Sequence, residues 1–105
     1  MIMNASILIV EDERNTAEGL AKFLRAKGCG VHVAFSAAEA MHFLKGETPD
    51  IVLSDLRLGD GVDGMGLLKH IHGFSKRPLV FMMTAYGTVE NAVKAMQEGA
   101  YHYLT

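Results

Sequence analysis

The sequence predicts an α/β domain organised around an open parallel sheet. Short apolar runs alternate with amphipathic segments along its 105 residues. Strand–helix units recur roughly every 20–28 residues, a spacing that implies parallel strands joined by right-handed crossovers. Composition agrees, because 50% hydrophobic and 21% charged residues is the balance of a folded domain rather than a disordered chain. The length suits a single domain over residues 1–105.

Each element has its own signal. Ser6-Ile7-Leu8-Ile9-Val10 is a continuous β-branched run, as expected of a strand buried on both faces. Asn15 reads as an N-cap with Glu18 as its capping-box partner. Ala17, Leu20 and Leu24, with Phe23 beside them, form an apolar helix stripe that Gly28 stops. Val31 to Phe35 reads as the second strand. Ser36 and Glu39 make another capping box, and Ala37, Ala40, Met41 and Leu44 share a face before Gly46. Pro49-Asp50 announces a third strand over Ile51–Ser54. A Gly/Asp-rich loop from Gly59 to Gly64 precedes a short helix carrying Met65, Leu68 and Ile71. Pro78 opens a fourth strand, Leu79–Met83. Thr88 caps a fourth helix, in which Val89, Ala92, Val93 and Met96 keep i, i+3, i+4, i+7 spacing up to Gly99. Tyr101–Leu104 is the fifth strand. The apolar helix faces, methionines included, need no cofactor to explain them.

Several function classes fall away. Ten basic against twelve acidic residues leave a net charge of −2, which argues against direct nucleic-acid contact by this segment. Cys29 is the only cysteine, so no internal disulfide forms and a reducing, cytoplasmic location is expected. It reads as a buried small apolar residue. No apolar run approaches the ~18–20 residues that a membrane span requires.

In an open parallel sheet, ligands bind at the carboxyl ends of the strands. Glu11 and Asp12 follow the first strand, Asp55 follows the third and Thr84 the fourth, while Tyr103 and Thr105 lie on the fifth. Three carboxylates from two strands therefore converge at one sheet edge. Packed together they disfavour their own ionisation unless a cation joins them. Hard oxygen ligands with open positions suit Mg²⁺. Such a site can hold a metal and present one carboxylate to a phosphoryl group. Taken singly, each acid is as well explained as a helix cap; their joint placement, with the Thr84 hydroxyl on a neighbouring strand, is what points to chemistry.

These stretches make the sequence recognisable. ILIVEDE (7–13), PDIVLSDLRL (49–58), MTAYGTVENAVKAMQEGA (83–100) and YHYLT (101–105) together resemble the receiver domain of two-component response regulators. The resemblance implies a flavodoxin-like, doubly wound five-stranded parallel sheet of order 2-1-3-4-5. It implies that Asp55 accepts a phosphoryl group from the phosphohistidine of a sensor histidine kinase. Glu11 and Asp12 would hold Mg²⁺ with Asp55, and the backbone carbonyl of Arg57 would complete the site. Thr84 would hydrogen-bond the phosphoryl oxygens, and Tyr103 would be the aromatic that changes rotamer with it. The stretch TAYGTVENAVKAMQEGAY looks most like receivers attached to ATPase domains that activate alternative-sigma-factor transcription, which implies a regulatory input to transcription.

The sequence departs from the family pattern in three places. The family carries a lysine just after the fifth strand, whereas this chain stops at Thr105, before that lysine and the fifth helix. The expectation is an uncovered apolar sheet face, with self-association through it or through the fourth-helix/fifth-strand face. The loop after Asp55 lacks the usual proline and is one residue longer. His102 stands where the family often has an acid, and reads as a solvated strand histidine. Gly59–Gly64 formally matches a dinucleotide fingerprint, but two aspartates within it would repel a pyrophosphate. The other histidines, His32, His42, His70 and His72, share no ligand spacing with Cys29, so no zinc site is read. A turnover enzyme such as a phosphohydrolase should show a further acid/base and a substrate pocket, and neither is evident. The remaining alternative is a pseudo-receiver, an interaction module that is not phosphorylated.

Overall fold

The computed structural model describes residues 4–55, 58, 64–83, 97, 99, 100 and 102–104. The expected fourth helix, Thr84 and Arg57 lie outside them. Five strands form one sheet: β1 (Ser6–Val10), β2 (Gly30–Ala34), β3 (Ile51–Asp55), β4 (Leu79–Met83) and β5 (His102–Leu104). Its order is β2-β1-β3-β4-β5, as the resemblance implied. All four pairings are parallel.

Among the described residues, three helices, α1 (Arg14–Ala26), α2 (Ala37–Leu44) and α3 (Gly64–His72), pack on the two faces. Side chains alternate across a strand, so β1 divides its apolar residues between two cores. Leu8 and Val10 join Val52, Val80 and Met82 under α2 and α3. Ile7 and Ile9 pack with Ala17, Ala21 and Leu24 of α1 and with Cys29. That double demand is why β1 reads as an unbroken β-branched run. Cys29 is buried, as its composition suggested.

The ends of α1 differ in how well they were legible. Its N-cap is Glu13, not Asn15: the Glu13 carboxylate accepts from the amides of Asn15 and Thr16 at 2.9 and 3.1 Å, and from the Thr16 hydroxyl. The carboxylate stands two residues before the expected cap and takes the amides at the true start of the helix, which begins at Arg14. At the other end, Gly28 takes φ 94, and Gly28 and Cys29 donate back to Arg25 and Leu24 at 3.0 and 3.1 Å. This is a Schellman stop. Phe23 is 59% exposed; the buried arc runs through Ala17, Ala21 and Leu24 instead, with Lys27 over the Phe23 ring. One half of the second capping box holds, since Ser36 Oγ accepts from the Glu39 amide at 3.1 Å, while the Glu39 carboxylate accepts from the Phe35 amide, one residue before the cap, at 3.0 Å.

Strand boundaries shift slightly from the sequence reading. β2 starts at Gly30 and ends at Ala34, and β3 includes Asp55; the expected first residue of the fifth strand, Tyr101, lies outside the described residues. At the amino end of the sheet, Asp50 joins three strands. Its carboxylate accepts from the Ser6 amide at 2.8 Å, its amide donates to the Ser6 carbonyl at 2.8 Å, and its carbonyl accepts from the Leu79 amide at 3.0 Å. No described helix is long and apolar enough to cross a membrane.

Candidate functional site

The carboxyl edge of the sheet is built from the ends of β1 and β3. β1 leaves the sheet at Val10, and the Glu11 amide still donates to the Ala34 carbonyl at 3.0 Å, so Glu11 is held as though it were one more strand residue. It is only 6% exposed. Asp12 is exposed beside it. Asp55 is half-buried as the last residue of β3, in register with Met83 of β4.

One carboxylate oxygen from each of Glu11, Asp12 and Asp55 falls within 4.8 Å of the others. Parallel pairing of β1 with β3 runs from Ile7↔Ile51 to Val10↔Ser54, which brings the residues just beyond those pairs together. Acids separated by more than forty residues in sequence thus meet because two neighbouring strands end level.

Convergence of like charge shows in the proton affinity of Glu11. Burial, the largest cause, pushes its carboxyl up from 4.5 to about 7. The Glu13 amide, which donates to Glu11 Oε2 at 3.0 Å, opposes the rise. The charge of Asp55 and hydrogen-bonded contacts with Asp12 and Asp55 add to it. Carboxylates this close share a proton or a cation. Glu13 is the opposite case: fully exposed and accepting from Asn15 and Thr16, its carboxyl is held below the ordinary range. The donor set is all hard oxygen, anionic and partly open, which fits a divalent cation of the Mg²⁺ or Ca²⁺ kind.

The structure therefore brings together three of the residues singled out in the sequence. Tyr103 lies on β5 with its backbone in register with Met82; its side chain, like Arg57 and Thr84 as a whole, falls outside the described residues. Two contributors escaped the sequence reading. Glu13 both caps α1 and steadies Glu11, and the third acid of Glu11-Asp12-Glu13 was the available signal. Ser54, 1% exposed, donates its hydroxyl to the Asp55 carbonyl at 3.0 Å. A lone hydroxyl within Ile51-Val52-Leu53-Ser54 was the hint.

Comparison with known proteins agrees with this geometry. A family model described as the response regulator receiver domain matches residues 7–105. The regulatory protein AtoC of Escherichia coli is 38% identical over 98 residues, covering 93% of this chain and 21% of its own length. The chain thus spans about a fifth of the length of that relative. A solved structure of NtrX from Brucella abortus shares 33% identity over 96% of this chain and 23% of its own, with a TM-score of 0.87. A response regulator from Burkholderia pseudomallei, solved with a phosphorylated aspartic acid, a calcium ion and citrate, shares 27% identity. It covers 95% of this chain and 58% of its own, with a TM-score of 0.89.

Proposed function

The chain belongs to the response-regulator receiver family of two-component signalling, and from that premise we propose that Asp55 is its phospho-acceptor. The observation that carries this reading is the meeting of Glu11, Asp12 and Asp55 oxygens within 4.8 Å at the carboxyl edge of the sheet. Of the three, Asp55 alone lies within a strand rather than beyond the end of one, in register with Met83 of β4, with its backbone carbonyl tied by Ser54. It is the acid most rigidly placed to receive a group.

In the proposed reaction an Asp55 carboxylate oxygen attacks the phosphorus of a phosphohistidine on a sensor kinase. An O–P bond forms, the P–N bond breaks, and the imidazole nitrogen leaves with the electron pair and takes up a proton. Mg²⁺ held by Glu11, Asp12 and Asp55, with the Arg57 carbonyl, would neutralise charge on the equatorial phosphoryl oxygens. Glu11 and Asp12 orient that charge at the sheet edge. Glu13 keeps Glu11 in place by donating its amide, and burial of Glu11 excludes water from one side of the cluster. The new acyl phosphate adds negative charge and acceptor oxygens, which the Thr84 hydroxyl answers, with Tyr103 following it. This biases a two-state surface around the segment after β4 and β5.

The same reading assigns the chain to the cytoplasm as a regulatory input to transcription, self-associating and making no DNA contact itself. The buried Cys29 and the similarity to transcriptional regulators support it. The test is incubation with a small phosphodonor, with and without Mg²⁺, followed by intact mass. Wild type gains one phosphoryl group only with Mg²⁺, and Asp55→Asn gains none. Equal mass gain in both chains, or none in wild type, overturns the assignment.

A further inference from the structure

We propose that the amino end of the sheet carries a second site, one that takes a small organic anion with a short apolar body. A concavity of about 450 Å³ opens between the end of α3, the start of β4 and residues 99–100. β4 is parallel to β3, so this site lies at the end of the sheet opposite the acidic cluster. Its volume falls within the roughly 300–1,000 Å³ typical of small-molecule sites.

The concavity is amphipathic in a specific way. Leu68, Ile71, Val80 and Ala100 give it a dry apolar floor, all four being buried. Leu79 lines it too and is 46% exposed, a large aliphatic side chain left half in water. Two nitrogen-bearing groups meet at the rim, where Arg77 Nη1 lies 3.3 Å from His72 Nδ1. Guanidinium nitrogens only donate, so in this contact the imidazole nitrogen is the acceptor. The guanidinium, with further N–H groups beyond this contact, still has donors to offer a ligand.

Charge distribution points the same way. From Gly64 to Val89 the sequence holds Lys69, Lys76 and Arg77 and no Asp or Glu, within a chain whose net charge is −2. The described residues lining the concavity include no carboxylate. Gly99 contributes by what it lacks: at φ 102 it sits against the His72 imidazole, and a Cβ there would collide with the ring. The glycine leaves His72 its place at the rim. A guanidinium over an apolar floor selects a carboxylate, which it can grip with two parallel hydrogen bonds, bearing a tail of a few carbons.

The test uses hexanoate as the probe, titrated into the ¹⁵N-labelled chain and followed by two-dimensional NMR. Acetate supplies the charge without the tail, and 1-hexanol the tail without the charge. Saturable shifts at the amides of Leu68, Ile71 and Val80, with acetate and hexanol each at least about tenfold weaker, support the site. Arg77→Ala should weaken hexanoate by about tenfold or more, as expected for losing a charge-assisted pair, while Arg77→Lys retains part of the affinity. The variants' own spectra report folding, and should Arg77→Ala lose dispersion, Arg77→Gln makes the same comparison. Shifts that do not saturate, that acetate or hexanol reproduces, or that survive the loss of the Arg77 charge overturn the proposal. None of these readouts depends on phosphorylation of Asp55.

Discussion

Replacing Glu11 by Gln isolates the electrostatic strain of the acidic cluster. The side chain keeps its size and an oxygen to accept the Glu13 amide, and it loses the charge. In the folded chain the Glu11 carboxyl sits at about 7 rather than 4.5. The folded state therefore binds this proton more tightly than the unfolded state. By linkage, the contribution is fully present below 4.5 and is lost as pH rises through 7. At roughly 1.4 kcal/mol per pH unit the full loss is about 3 kcal/mol, and water at the open rim of the cluster reduces it to about 1.5 kcal/mol. Without a divalent cation, Glu11→Gln should thus melt above wild type at pH 8 by about 6–12 °C for a domain of this size, and level with it near pH 4. Mg²⁺ should stabilise wild type far more at pH 8 than at pH 5, and stabilise the variant less. The assay is a set of thermal melts by circular dichroism across pH, with and without Mg²⁺. Superimposable pH profiles for the two chains, or equal Mg²⁺ stabilisation of both, would refute the argument that buried like charge at Glu11 awaits a cation.

Other perturbations test the frame around the site. Leu8→Ala removes a fully buried side chain from the core beneath α2 and α3 and should lower stability by about 2–5 kcal/mol in urea titration, with an unchanged m-value. Gly99→Ala forces a side chain into a left-handed backbone and against His72, at about 1–3 kcal/mol. Part of that loss should disappear in a His72→Ala background, measured as a double-mutant cycle. Glu13→Gln should lower the melting temperature at pH 7. Because the Glu13 carboxyl is held low in the folded state, its charge contributes above the ordinary carboxylate range and is lost as pH falls, so the difference should vanish in acid.

The strands were legible because sheet residues read as short continuous apolar runs, as in Ile7–Val10 and Leu79–Met83. The acidic cluster was legible because strand ends are marked in the sequence and level parallel strands bring their ends together. Glu13 was misread for a physical reason: Asn15 with Glu18 fits the local capping pattern, and only the path of the chain past Glu11 shows that an earlier carboxylate already holds the free amides. Phe23 was misplaced because Ala17, Ala21 and Leu24 form the face of α1 against the sheet, and Phe23, two residues from Ala21, lies on the opposite side of the helix. The concavity at the amino end was invisible in sequence. It joins residues 68–80 to 99–100 through β4–β5 pairing, and no local pattern encodes that meeting.

Asp50 gives the domain a fixed zero point for length. Its three hydrogen bonds lock the starts of β1, β3 and β4, and Asp55 follows five residues along the same strand, roughly 16 Å away at about 3.3 Å per residue. Inserting one residue between them would carry the acceptor about 3.3 Å past its neighbours and turn it to the other face of the sheet. Insertions beyond Arg57 carry no such penalty, because the ruler has already been read. Evolution can therefore lengthen the glycine- and aspartate-rich segment 59–64 freely, while Ile51-Val52-Leu53-Ser54 must keep its count even where its residues change.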